Sequence, residues 1–330
     1  LLWFPLIKYW IRQEQTGKRL KRERCRSRRT LKHQKYGYWI IAIDRTQWKG
    51  HNIFMVSVVW GTHALPVYWE VLKKPGNSDL RTQKRLLGTV LHLFKNYPVL
   101  VLGDREFHSP KLASWLEVKG VSFALRQRKD FHFQEHVGQE YQVLKELGFK
   151  PGMSKFYQNI LGNKGDGLGP FNLAVYWKRK YRQPGPKEPW YILTNLSDLK
   201  LTLDVYCCRW GIEQMFKDYK TGGYHLEDNK VNETRFLALI LLVAIAYSLA
   251  TIHGQWIKKL GIDIYAGRLN EHKDKTPRQS EFSLSLYGQR WIYGMELWND
   301  WVLSLIALKP HKRLYFQRGF QALSLMQQAL

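Results

Sequence analysis

The sequence predicts an α/β fold: a mixed five-stranded sheet flanked by helices and interrupted by a β-rich insertion. Three observations carry this. Short apolar runs rich in β-branched and aromatic residues come first as three in succession and then alternate with helical patterns, which is the order of a mixed sheet covered by helices. Two of these runs stop at an aspartate, Asp44 and Asp104. Between about residues 129 and 189 the pattern weakens, Gly and Pro recur, and Phe171 to Trp177 alternates like a strand.

Taken in order, Tyr38–Ile43, Ile53–Trp60 and the run around Leu65–Leu72 read as an antiparallel meander, linked by turn-like Lys49-Gly50 and Gly61-Thr62. Ser78 is placed to cap a helix through Phe94, whose Leu80, Leu86, Leu87, Val90, Leu91 and Phe94 recur at helical spacing. Pro98–Gly103 is a fourth strand. Ser109-Pro110 opens a second helix that Gly120 stops, and Val121–Leu125 is a fifth strand. Trp190–Leu193 returns to a strand pattern after the insertion. Phe236–Ile252 holds seventeen residues without a charge. That sits at the lower edge of membrane-spanning length and equally suits a fully buried helix, the reading favoured here because nothing else in the chain looks membrane-bound.

The segment Tyr206–Lys220, YCCRWGIEQMFKDYK, carries the densest chemistry. Read as one helix at about 100° per residue, Tyr206, Arg209, Glu213 and Lys220 fall within an arc of roughly 60°. Val205, Ile212, Met215, Phe216 and Tyr219 form an apolar stripe beside it, so the helix can dock on a core and turn its polar side to a cleft. As a mere amphipathic helix its Arg209–Glu213 pair would be an exposed salt bridge of a few tenths of a kcal/mol. In an α/β sheet the C-terminal strand ends rim the usual crevice, so Asp44, Asp104 and Glu213 are expected to converge there. Three hard oxygen ligands favour Mg²⁺ or Mn²⁺ over zinc, and two such ions about 4 Å apart would activate a water or a 3′-hydroxyl for phosphodiester chemistry. Each aspartate also precedes an arginine, so a turn with a local salt bridge is the plain alternative for either one alone.

Charge supplies the substrate class. The chain has 330 residues with 52 Lys+Arg against 27 Asp+Glu, a net charge of +25. Such an excess calls for a polyanion, by default nucleic acid. Residues 17–35 hold ten Lys or Arg and one acid, which reads as a disordered arm or a helix that orders on a phosphate backbone, with a merely solvated tail as the plain alternative. Aromatic content of 14% adds stacking surfaces, Trp177 and Trp190 among the candidates. Three cysteines, Cys25, Cys207 and Cys208, form no CxxC pair, which fits a reducing cytoplasm without disulfide or zinc frameworks. The first residue is Leu1 and the opening stretch lacks the features of a signal peptide, so a preceding N-terminal segment is expected.

Tyr206-x2-Arg209-x3-Glu213-x6-Lys220 resembles the Y-(2)-R-(3)-E-(6)-K signature of IS4-family DDE transposases. AIDRT around Asp44, LGDREF around Asp104 and the continuation KTGGYHLED are similar to the same family, over roughly residues 36–255. The resemblance implies an RNase H-like core split by an insertion between the second Asp and the Glu. The divisions expected are a basic arm at 1–36, core at 37–128, insertion at 129–189, core with the Glu helix at 190–258 and a basic-aromatic region at 259–330. It further implies that Asp44, Asp104 and Glu213 ligate two Mg²⁺ or Mn²⁺ ions. Tyr206, Arg209 and Lys220 would contact the DNA backbone; on the helical count Lys217 and Trp210 point about 20–40° from that stripe and could join them, with core packing an equal alternative for Trp210. The implied activity is cut-and-paste transposition by a cytoplasmic, nucleoid-associated bacterial protein: cleavage at terminal inverted repeats, usually through a hairpin, then strand transfer into target DNA within a homodimeric synaptic complex and away from membranes. An inactive DNA-binding remnant and an RNase H-like nuclease without strand transfer stay open as alternatives.

Overall fold

The computed structural model describes residues 3–7, 9–10, 36–48, 50–73, 76–162, 164, 167–179, 188–228, 230–261, 263 and 279–329. The basic arm at 17–35 lies outside them. The chain divides into two compact units, Leu1–Lys220 with His225–Asn229, and Thr221–Tyr224 with Lys230–Leu330.

The first unit is built on the expected meander. β1 (Trp39–Trp48), β2 (His51–Trp60) and β3 (His63–Leu72) pair antiparallel. α1 (Leu80–Leu93) leads to β4 (Val99–Gly103), and α2 (Pro110–Val118) leads to β5 (Ser122–Arg126); β4 pairs parallel with both β1 and β5. The order β3-β2-β1-β4-β5, with three parallel strands and an antiparallel flank, is the RNase H-like arrangement. Ile40, Ile41, Ala42 and Ile43 are at most 1% exposed, as expected of a central strand covered on both faces.

The sheet does not stop at five strands. β6 (His132–Gln134), β7 (Gln142–Val143), β8 (Ser154–Gly162) and β9 (Leu168–Tyr176) fall in the stretch expected to be an insertion, and β10 (Trp190–Thr194) follows it. β10 pairs antiparallel with both β5 and β9, so one ten-stranded sheet runs β3-β2-β1-β4-β5-β10-β9-β8-β6-β7. The physical reason is that β5 would otherwise be an open edge with unpaired N–H and C=O groups, and β10 covers it.

Three local expectations are corrected. β1 continues past Asp44 to Trp48, because residues 44–48 keep pairing with β2 after the parallel partner ends. Asp79, not Ser78, caps α1, its Oδ1 accepting the Thr82 N–H at 2.7 Å. The segment from Tyr206 to Lys220 is not one helix. α3 (Leu199–Tyr206) ends at Tyr206, Cys207–Arg209 form a 3-10 turn, α4 (Trp210–Tyr219) carries Glu213, and Lys220 lies just beyond α4.

α4 packs across β1, β2 and β3. Ile212, Met215, Phe216 and Tyr219 are buried as the stripe predicted, with Trp48 set 6.2 Å from Phe216 and 5.8 Å from Tyr219 between ring centroids. Gly211 makes the close approach possible: a Cβ there would stand 2.6 Å from the His63 carbonyl oxygen and 2.8 Å from its carbon. At the helix's other end the buried His63 ring lies 3.4 Å from the Asp218 carboxylate.

In the second unit α5 (Glu233–Leu260) packs on α6 (Glu281–Ala307), and α7 (Arg313–Ala329) follows. Tyr224 and Tyr247 both meet the buried Phe282, and Lys258 pairs with Glu281 at 3.1 Å. α5 is long and apolar enough to cross a membrane, with a mean hydropathy of 2.3 over its most apolar window. It is not buried all round: Phe236, Ile240, Ala244 and Tyr247 are inside, while Leu237, Leu241, Leu242 and Leu249 are exposed.

The close approach at Gly211 yields a test. Gly211→Ala should lower stability by about 1–3 kcal/mol in urea unfolding, because backbone rather than a flexible side chain must move. Unchanged stability would show that α4 does not ride directly on β3.

Candidate functional site

Asp44 and Asp104 are brought side by side by the sheet. The β1–β4 ladder ends at the pair Ile43↔Gly103, and the next residue on each strand is the aspartate. Beyond Gly103 the chain turns tightly, since a Cβ at Gly103 would meet the Phe107 Cβ at 2.8 Å; Asp104 caps the 3-10 turn Arg105–Phe107 with its Oδ1 on the Glu106 N–H at 2.8 Å. Asp44 Oδ1 accepts its neighbour's N–H, from Arg45, at 2.7 Å. Each carboxylate is thus oriented by a backbone donor and keeps Oδ2 for other partners.

The third acid arrives on α4. Arg209, in the turn before it, donates to Asp44 Oδ2 at 3.2 Å and also to Glu213 Oε1. One guanidinium therefore links carboxylates from β1 and α4. Asp104 and Glu213 are near enough for their charges to act on Asp44. Burial first, then the charge of Asp104, pushes the Asp44 carboxyl up to about 7; Arg209 and the Arg45 N–H oppose this, and Glu213 adds to it. Burial works against the Arg209 charge, but Tyr206, Glu213 and Asp44 outweigh it and hold its pKa above the ordinary value.

The arginines that follow each aspartate do not form the local bridges that sequence allows. Arg45 reaches Glu106 at 2.7 Å, and Arg105 pairs with Glu188. Both aspartates are left to the cluster.

The remaining candidates are placed as follows. Tyr206 is 4% exposed, packs edge-on against Trp190 with centroids 5.2 Å apart, and its hydroxyl is hydrogen-bonded to Arg209. Burial pushes its phenol up to about 12, so it stays protonated. It presents no open face to a DNA backbone and instead lies under Arg209; Trp190 is likewise engaged by Tyr206 and Tyr176. Trp210 is 60% exposed at the start of α4, and Lys217 is exposed on the same helix. Lys220 pairs with Glu227 at 2.9 Å.

Sequence reasoning missed Glu106, Arg45, Arg126 and Glu188. Arg126, at the end of β5, is charge-coupled to Tyr206, Arg105, Glu188 and Arg209, and burial lowers its pKa. Glu188 lies 3.9 Å from it. The only sequence signal was an acid and a base beside each strand end, which does not reveal partners 61 residues apart such as Arg45 and Glu106.

An all-oxygen donor set with mutual repulsion is what a hard divalent cation relieves, so the residue types fit Mg²⁺ or Mn²⁺. Among the described residues no group of three or more His, Cys, Asp or Glu side chains is placed to hold a metal ion. Arg209 supplies the counter-charge in this arrangement, and a cation would take over that role.

Known proteins share features with this chain. A cryo-EM structure of a piggyBac transposase synaptic complex with hairpin DNA is similar at 14% identity and a TM-score of 0.47, over 86% of this chain. The chain spans 56% of that chain's length. No curated protein matches it. Residues 26–249, which contain Asp44, Asp104 and Glu213 and all ten strands of the sheet, match the family described as the transposase DDE domain. The chain belongs to the transposase DDE domain family.

Proposed function

We propose that this protein is a DNA transposase of the IS4 type, cutting DNA at the ends of its element and joining the freed 3′ ends to a target. The observation that carries this reading is Arg209 held between Asp44 and Glu213 while Asp104 stands beside Asp44, all within a family of DDE transposases. Double-stranded DNA, as terminal repeats and as target, is the partner that a net charge of +25 calls for. Two copies would pair the two ends, and the work would be done in the bacterial cytoplasm away from membranes.

The family is generally dependent on a divalent metal. Asp44, Asp104 and Glu213 would hold it here, as Mg²⁺ or Mn²⁺ and as two ions in the complete site; bound there, it makes water or a 3′-hydroxyl more acidic and offsets charge on the leaving oxygen. The chain's own residues do the rest. Asp44 and Asp104 are aimed by the Arg45 and Glu106 amides. Arg209, braced by Tyr206, is positioned to exchange a carboxylate for a phosphate oxygen, since guanidinium matches both anions in the same planar geometry. Lys217, Lys220 and the exposed Trp210 would add contacts farther along α4 and just beyond it, with Lys220 giving up Glu227 to do so.

Replacing Asp44, Asp104 or Glu213 by Ala should abolish cleavage of an end-containing duplex while gel-shift affinity stays near the parent's. Cleavage retained by any one of the three would contradict the assignment. Arg209→Ala and Lys220→Ala should weaken DNA binding and reduce the slope of log K against log salt by about 0.9 for each phosphate no longer neutralised. An unchanged slope would remove these side chains from the phosphate path.

Asp44 also sets a pH dependence for the metal-free protein. Its folded pKa, about 7, lies above the ordinary 3.8, so the folded state holds a proton that the unfolded chain has released. The stability this gives is complete below about pH 4 and is lost as pH rises through 7. Asp44→Asn removes the loss. Its advantage over the parent should be absent at pH 4 and grow to the order of a few kcal/mol at pH 8, as read by denaturant melts in chelator. An advantage that does not change with pH would show that Asp44 is not the titrating group.

A further inference from the structure

The parallel ladder that aligns β1 and β4 ends one residue before the two aspartates. Past that point Asp44 follows β2 and Asp104 enters a 3-10 turn, so the backbone no longer ties one to the other. Like charges at adjacent strand ends repel, and an unrestrained pair would spread. A side-chain connection takes over where the ladder stops. Arg45 Nε donates to Glu106 Oε2 at 2.7 Å. The Arg45 amide donates to Asp44 Oδ1, and the Glu106 amide donates to Asp104 Oδ1. The path Asp44–Arg45–Glu106–Asp104 is therefore closed by hydrogen bonds, with Arg45 and Glu106 as its rigid middle.

Both middle residues are themselves fixed. Glu106 Oε1 accepts from the Ser78 amide at 2.9 Å and from its hydroxyl at 2.8 Å, and Gln83 Nε2 holds Ser78 through its carbonyl at 3.0 Å. Arg45 Nη1 donates to Asn52 Oδ1 at 2.8 Å, and Asn52 in turn donates to the Gly76 carbonyl at 3.2 Å. The Glu106 side chain is only 9% exposed. A buried carboxylate held by three donors, the Arg45 guanidinium and both Ser78 groups, is costly to place and rigid once placed. It explains why Ser78 is drawn away from capping α1.

We propose that Glu106 is a positioning residue that sets the separation of Asp44 and Asp104, and with it their affinity for a divalent cation. This rests on the reading of the two aspartates as cation ligands. Partners of this kind that orient ligating carboxylates typically change metal affinity about 10–100-fold when removed.

The test is Mn²⁺ binding to the DNA-free chain by isothermal titration calorimetry, alongside thermal melting in chelator. Glu106→Gln keeps the side chain's size but turns one acceptor into a donor facing Arg45 or Ser78; Glu106→Ala removes both acceptors. Each should bind Mn²⁺ about 10–100-fold more weakly than the parent. Arg45→Ala combined with Glu106→Ala should bind no more weakly than Glu106→Ala alone, because the two side chains act through one hydrogen bond. A folded Glu106→Gln protein with the parent's affinity would overturn the proposal, as would losses that simply add in the double variant. Asp44→Ala separates this from the broader reading: if the parent binds no Mn²⁺, or Asp44→Ala binds it as well as the parent, the assignment of the aspartates fails too.

Discussion

The site depends on one electrostatic constraint: a largely buried Asp44 feels the charges of Asp104 and Glu213, with the Arg209 guanidinium held between Asp44 and Glu213. Coulomb repulsion between such groups, about 4 kcal/mol for two charges about 4 Å apart, is a sizeable fraction of the net stability of a domain, so the scaffold has to hold the arrangement in place. The sheet does the forcing for Asp44 and Asp104 by ending a parallel ladder one residue before both. α4 does it for Glu213, by lying flat on β3 at Gly211 and clasping Trp48 at its far end. Arg209 offsets part of the resulting charge, which leaves Asp44 with a carboxyl that holds its proton well above the usual range.

Much of this was legible before any coordinates. The run Tyr38–Ile43 ending in Asp44, the run Pro98–Gly103 ending in Asp104 and the spacing of Glu213 against a buried stripe each follow from period and composition, and each is found in the sheet or on α4. The helix was the part misread. Equal spacing at 100° per residue treats Tyr206 through Lys220 as one rod, whereas the chain tightens into a 3-10 turn at Cys207–Arg209. The angular count kept Arg209 and Glu213 together because they are one turn apart in either geometry. It could not show that Tyr206 faces inward against Trp190, since that is decided by β10, a strand contributed from beyond the insertion.

What the sequence withheld was mostly long-range polar pairing. Arg45 with Glu106, Arg105 with Glu188 and Lys220 with Glu227 are choices among many nearby charges of either sign. Hydrophobic burial fixes strands and helices through patterns that repeat, but a salt bridge is a single event with no period to detect. The size of the sheet was hidden for a similar reason: β10 is five ordinary strand residues, and nothing local in Trp190–Thr194 states that its neighbour is β5.

That shared edge has an evolutionary corollary. Because β10 is hydrogen-bonded to β5 on one side and β9 on the other, the chain leaves the core at Arg126 and re-enters it at Trp190 as adjacent partners, whatever happens in between. Length can be added or removed around β6, β7 and the β8–β9 hairpin, at the far margin of the sheet, while Asp104 and Glu213 keep their registration. The sheet thus separates the outer strands β9-β8-β6-β7 from the inner strands β1 and β4, at whose ends Asp44 and Asp104 stand.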